Sequence, residues 1–210
     1  MVESTSAASR SARKPKGEGH ARRAEILEAA ERIFVERGYD GATIRKIADE
    51  VGLSSTALYM HFRDKSEILA EICRSAFARL TAATAEVRSE DGAPEARLRR
   101  MLKGYAAFAF DNPNAYRLIY MTRPEEARMG AETAAREVGG ELYRDFQAVV
   151  NEAQTEGLLR GDARTTAQAL WAGTHGVVSL VITKPYFDWA DREQLLATTL
   201  DALFEGLFRR

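Results

Sequence analysis

The stretch TIRKIADEVGLSSTALYMHF, residues 43–62, admits few folds. Ile44, Ile47, Ala48 and Val51 recur at i, i+3, i+4 and i+7, so they make one apolar face of a helix. Thr43 is placed to cap its start, and Gly52 closes it after barely two turns. A second helix is expected to begin at Ser54 and stop near Phe62. Two amphipathic helices joined by a tight turn containing glycine are the sequence form of a helix-turn-helix, whose second member lies in the major groove of DNA. Small or polar side chains at Ser54, Ser55, Thr56 and Ala57 let the backbone approach base edges, where bulky residues would block entry. Leu58 then faces inward to hold the helix, while Tyr59 and His61 can reach phosphates. Phe62 is expected in the core, and Tyr59 could equally be a partly buried core aromatic.

The rest of the chain is read as helical throughout, so the expected fold class is all-α. Ile26, Ala29, Ala30, Ile33 and Phe34 form one stripe over residues 21–37, stopped by Gly38. Asp64 and Glu67 offer a capping box for a fourth helix carrying Ile68, Leu69, Ile72, Ala76 and Leu80 to about residue 87. Beyond the Gly and Pro of SEDGAPEA, helices are expected near 95–111, 113–121, 125–156, 163–183 and 191–208. Pro124 is one of the expected breaks, and Gly139-Gly140 is expected to kink or interrupt the third of these helices. The organisation that follows is a basic arm over 1–20, a helix-turn-helix domain over 21–66 and a helical bundle over 67–210.

A formal net charge of −1 over 210 residues does not mark a nucleic-acid binder, so its distribution matters. Residues 1–23 hold six Lys or Arg (Arg10, Arg13, Lys14, Lys16, Arg22 and Arg23) against Glu3 and Glu18, a net of about +4. This arm reads as disordered, either a solvated tail or a source of phosphate contacts. Cys73, the only cysteine, rules out an intramolecular disulfide. It reads as a small buried hydrophobe on the fourth helix rather than a redox sensor. No apolar run is long enough to span a bilayer, and no signal core opens the chain, so a cytoplasmic protein without a membrane partner is expected.

Residues 26–69, ILEAAERIFVERGYDGATIRKIADEVGLSSTALYMHFRDKSEIL, resemble the DNA-binding signature of the TetR family of bacterial transcription regulators. The match runs through Gly38-Tyr39, Ala42-Thr43, Ile47-Ala48, Gly52, Ser54, Leu58-Tyr59, His61-Phe62 and Lys65. The resemblance implies that Thr43 caps the second helix and bonds a phosphate, and that Arg45 can reach a guanine in the major groove. It implies base-facing roles for Ser55, Thr56 and Ala57. Phosphate contacts are implied for Tyr59 and His61, and for Lys65 at the start of the fourth helix. Ser, Thr and Ala in place of Arg, Asn or Gln at the base-facing turn make direct readout thin, which leaves discrimination to Arg45 or to DNA shape.

In the bundle, YRLIYM (116–121) and ALWAGTHGVVSL (169–180) resemble a subgroup marked by a Trp-His-Gly pattern, here Trp171, His175 and Gly176. Trp171 and His175 share a helical face, and Gly176 is expected to allow a close helix approach. The resemblance implies a homodimer formed by the last two helices, with an apolar ridge of Leu195, Leu196, Leu200, Leu203 and Leu207. It also implies a cavity for a small apolar effector, with Phe108, Tyr116, Tyr120, Met121, Phe146, Trp171, His175 and Val178 as candidate lining, each of them also a plausible core residue. No Walker loop, dinucleotide fingerprint, nucleophile elbow or metal-spaced His/Cys set is present, so neither enzyme chemistry, a cofactor nor a metal is expected. The reading is a ligand-responsive repressor on a near-palindromic operator. Two rivals stand beside it: a ligand-independent DNA-binding dimer, and a helical ligand-binding protein with a vestigial DNA-binding domain.

Overall fold

The computed structural model describes residues 18–121 and 131–209, and every named element in it is a helix. These are α1 (Glu18–Gly41), α2 (Ile44–Glu50), α3 (Ser55–Tyr59), α4 (Lys65–Ser89), α5 (Pro94–Asp111), α6 (Pro113–Met121), α7 (Ala131–Thr155), α8 (Ala163–Thr183) and α9 (Arg192–Leu207). The arm over residues 1–17, the break at Pro124 and the expected helical start at 125–130 lie outside the described residues. Within the arm as drawn, residues 18–20 are instead the first turn of α1. That turn carries no apolar stripe, so periodicity could not reveal it.

Most boundaries follow from local chemistry. Asp64 accepts from the Glu67 amide at 2.8 Å to cap α4, Asp162 accepts from the Thr165 amide at 2.9 Å to cap α8, and Asp191 caps α9. The Glu67 carboxylate reaches back to the amide of Arg63, one residue beyond the cap, so the capping box closes one position early. Pro94 supplies the first turn of α5, where its missing N–H costs nothing. Gly139-Gly140 does not interrupt α7, which runs on to Thr155. A Cβ at Gly139 would stand 3.3 Å from the Phe77 ring, so the absence of a side chain lets α7 lie close on α4.

Two apolar cores form. The first gathers Ile26, Ala30, Ile33 and Phe34 of α1, Ile47 and Ala48 of α2, Leu58, Phe62, and Ile68, Leu69, Ile72 and Cys73 of α4, with Leu118 of α6. The second packs α5, α7, α8 and α9 against the far half of α4. Arg160 and Arg209 tie the end of α7 to the end of α9 through backbone bonds of 2.9 and 2.8 Å to Leu207 and Leu158. The leucine ridge of α9 divides by helical phase: Leu196 and Leu200 are buried in the bundle with Phe204, whereas Leu195, Leu203 and Leu207 lie half-buried. Close approach of α8 to α9 occurs at Gly173, where a Cβ would meet a Leu203 methyl at 2.6 Å. It does not occur within the chain at Gly176, where a Cβ would meet nothing within 4 Å. Among the described residues no helix is long and apolar enough to cross a membrane.

Candidate DNA interface and effector cavity

The turn between α2 and α3 is set by three polar devices. Thr43 Oγ1 accepts from the Lys46 amide at 3.2 Å, which fixes the start of α2. Gly52 takes φ +67°, which reverses the chain so that Leu53 N–H bonds the Ala48 carbonyl at 2.8 Å. Ser54 Oγ accepts from the Ala57 amide at 3.1 Å and fixes the start of α3. The expected helix over 54–62 is therefore five residues long, with Ser54 as its cap and looser turns carrying the chain through Phe62.

Burial sorts the side chains of this segment cleanly. Leu58 and Phe62 are fully buried, Ser54 and Thr56 are exposed, and Ser55 and Ala57 are half-buried. Tyr59 is 55% exposed, which sets aside the reading of it as a core aromatic. Met60, to which the sequence reading gave no role, is 84% exposed beside it. Only its place between Leu58 and Phe62, the two inward residues of the segment, could have flagged it. Arg45 is also open, with an ion pair to Asp49 at a loose 3.8 Å. The outward surface thus combines small polar groups, a phenol and an exposed guanidinium, with nothing bulky over the start of α3.

Other cations brace this surface. Lys65 Nζ donates to the Tyr39 carbonyl at 2.7 Å and the Ala42 carbonyl at 3.2 Å and lies 4.0 Å over the Tyr39 ring, locking the α1–α2 corner. Arg23, counted with the basic arm, stacks 4.0 Å over Phe62 and donates to the His61 carbonyl. His61 is half-buried at that contact. The hydroxyl of Ser66 and the amide of Glu67 hold the Asp64 carboxyl below its ordinary range, so the α4 cap stays charged at neutral pH. Burial pushes the Cys73 thiol up to about 12, which keeps it an inert apolar filler.

The bundle holds a cavity of about 570 Å³ between α4, α5, α6, α7 and α8, open to solvent beside Gln168 and Trp171. Three of the expected lining residues, Tyr120, Phe146 and Trp171, are on its wall. Sequence reasoning missed the others, among them Phe77 and Thr84 of α4, Met101 and Tyr105 of α5, and Tyr143 of α7. Tyr116 and His175 stand behind the wall. His175 Nδ1 lies 2.9 Å from both the Tyr105 and Tyr116 hydroxyls, and its ring is 5.0 Å from that of Tyr120. This Tyr-His layer closes one end of the cavity. Phe108 and Val178 lie one turn beyond it along α5 and α8, and they serve as core there rather than as lining. The Met121 side chain lies outside the described residues. Burial lowers the pKa of His175, so its imidazole is neutral at neutral pH, and burial raises Tyr105, Tyr116 and Tyr120, the last to about 12.

Residues 26–72 match the model for bacterial regulatory proteins of the tetR family. Residues 98–203, half of the chain, match the tetracyclin repressor-like C-terminal domain. The chain belongs to the TetR family of bacterial regulatory proteins. The C-terminal match leaves the Trp-His-Gly subgroup as an expectation from Trp171, His175 and Gly176 alone. Among relatives, the chain is similar to the HTH-type transcriptional repressor AcnR of Corynebacterium diphtheriae, 45% identical over 35% of this chain and 37% of that protein. It is also similar to the HTH-type transcriptional repressor KstR2 of Mycobacterium tuberculosis, 30% identical over 70% of this chain and 73% of that one. The matched stretches span 37%, 40% and 61% of the AcnR proteins of three corynebacteria. The solved structure of the TetR family regulator PfmR from Thermus thermophilus resembles the fold with a TM-score of 0.68, at 26% identity over 88% of this chain and 99% of that one.

Proposed function

We propose that this protein is a homodimeric, ligand-responsive transcriptional repressor acting in the cytoplasm, and that a small apolar effector in the bundle cavity releases it from its operator. The observation that carries the reading is the double duty of α6 and α4. Leu118 belongs to the core of the helix-turn-helix head while its neighbours Ile119 and Tyr120 line the cavity. The start of α4 fills the same head core, and its middle lines the cavity through Phe77 and Thr84. Any molecule that reshapes the cavity wall therefore acts on elements that seat the recognition helix. The repressors AcnR and KstR2 support the direction of control.

In this reading Ser54, Ser55, Thr56 and Ala57 meet base edges, Arg45 supplies the stronger base contact, and Thr43, Tyr59, His61 and Lys65 lie along the phosphates. Two heads joined through α8 and α9 present their α3 helices to successive major-groove faces about 34 Å apart on a near-palindromic site. Leu180, 47% exposed, and the half-buried Leu195, Leu203 and Leu207 supply the apolar material for that joint. An effector shifts the dimer only through unequal affinity for its two forms, and moving it from 99:1 to 1:99 requires about 5.5 kcal/mol. The test is a mobility shift on the intergenic DNA beside the gene, with competitor DNA and two salt concentrations, followed by titration of candidate apolar ligands. Specific binding survives competitor, and an effector releases the DNA. Loss of the shift in competitor, or ligands that fill the cavity without altering DNA affinity, would overturn the proposal.

A further inference from the structure

We propose that the cavity selects an uncharged, largely apolar molecule bearing one hydroxyl or carbonyl oxygen, and that this oxygen hydrogen-bonds the phenol of Tyr143. The inference rests on the reading of the cavity as the effector site and names the chemistry of what enters it.

Charge is the first constraint. Among the described residues no Asp, Glu, Lys, Arg or His lines the cavity. Ion pairs beside its wall, Glu141 with Arg144 and Arg88 with Asp145, are already matched and contribute nothing to the lining. A carboxylate or ammonium brought inside would lose hydration with no counter-charge among these residues to replace it. An uncharged ligand avoids that loss.

Hydrogen bonding is the second constraint, and it is met unequally around the wall. The phenols of Tyr105 and Tyr120 belong to the layer built on His175, and the Thr84 hydroxyl donates to the Leu80 carbonyl at 2.8 Å. Gln168 is exposed at the rim, where water serves it. The Tyr143 hydroxyl differs. It is shielded from solvent and has no hydrogen-bond partner among the described residues, although its ring is held by Trp171 at 5.8 Å and Phe146 at 6.5 Å. A shielded hydroxyl without a partner is costly, and one on a cavity wall gains most from an oxygen on the molecule that fills the cavity. One oxygen on an apolar frame matches one unsatisfied phenol on an apolar wall.

The experiment uses the full chain and the uncharged dye Nile red as a reporter of cavity occupancy. Its displacement is measured with four ten-carbon competitors: decane, 1-decanol, 2-decanone and decanoate at pH 8. The alcohol and ketone are expected to displace the dye at least tenfold more tightly than decanoate. Tyr143→Phe is expected to cut the advantage of 2-decanone over decane about tenfold while leaving decane unchanged. Tyr120→Phe is expected to preserve that advantage, because its phenol already has partners. The Tyr143→Phe protein should melt no lower than the parent, since the lost hydroxyl bonds nothing among the described residues. Decanoate binding as well as decanol, or an unchanged ketone-to-alkane ratio in Tyr143→Phe, overturns the assignment. A parallel mobility shift separates the two readings. Selective binding without DNA release counts against the effector role alone, whereas release driven by decanoate upholds that role and overturns this inference.

Discussion

Replacing Gly52 with Ala isolates the conformational demand of the turn that seats α3. Gly52 sits at φ +67°, and a Cβ there would meet no atom within 4 Å, so the substitution introduces no clash. Its whole cost is the left-handed backbone, about 1–2 kcal/mol for an L-residue. Gly157 supplies a matched control: it has φ +72° and equally open surroundings, but it ends α7 far from the turn. Urea unfolding should show both alanine variants less stable by a similar amount, and Gly52→Asn should lose less, because asparagine tolerates this region. Fluorescence anisotropy with labelled intergenic DNA then distinguishes them. If Gly52→Ala relieves strain by opening the turn, operator affinity falls by up to about tenfold, the equivalent of 1.4 kcal/mol, while Gly157→Ala binds as the parent does. The reasoning is refuted if Gly52→Ala retains full stability, or if asparagine costs as much as alanine.

Leu58→Ala should lower stability by about 2–5 kcal/mol by hollowing the head core, read as a loss in thermal midpoint. Its DNA binding should fail well below the temperature at which the parent's fails. Arg45→Ala should change stability by less than about 0.5 kcal/mol, because its ion pair is long and exposed. Loss of a base contact there should nevertheless cost about 1–3 kcal/mol in operator binding by anisotropy, and unchanged affinity would remove Arg45 from the interface. Because burial holds the folded-state pKa of His175 below its ordinary 6.5, the unfolded chain takes up the proton first. That contribution to stability is complete above about pH 6.5 and declines as pH falls through the lower folded value. His175→Gln keeps an acceptor for Tyr105 and Tyr116, and denaturant midpoints measured against pH should then lose this part of their slope.

The helix-turn-helix was legible because its determinants are local. Caps at Thr43, Ser54 and Asp64, a glycine at the reversal and an i, i+3, i+4, i+7 stripe all act within a few residues. Such chemistry survives reading one residue at a time. The cavity was only partly legible because a concave surface is a property of helix packing. Phe146 and Val178 look alike as apolar residues in amphipathic helices, and only the placement of the Tyr-His layer puts one on the wall and the other past its end. Arg22 and Arg23 show the same limit from the polar side. Their charge read as part of a solvated tail or as phosphate contacts, whereas Arg23 grips the His61 carbonyl and Arg22 pairs with Glu25 at 2.6 Å. The partner of Arg23 lies 38 positions away, beyond any local reading, whereas that of Arg22 is three residues on.

The sharing of α4 between the two cores fixes how the protein can be dissected. A fragment cut at residue 66 would strip Ile68, Leu69, Ile72 and Cys73 from the floor of the head and leave Ile26, Phe34 and Leu58 facing water. Transplanting the head onto another bundle meets the same obstacle, since the seam between donor and host would have to fall within α4 beyond Cys73, and the host's sixth helix would have to offer a substitute for Leu118.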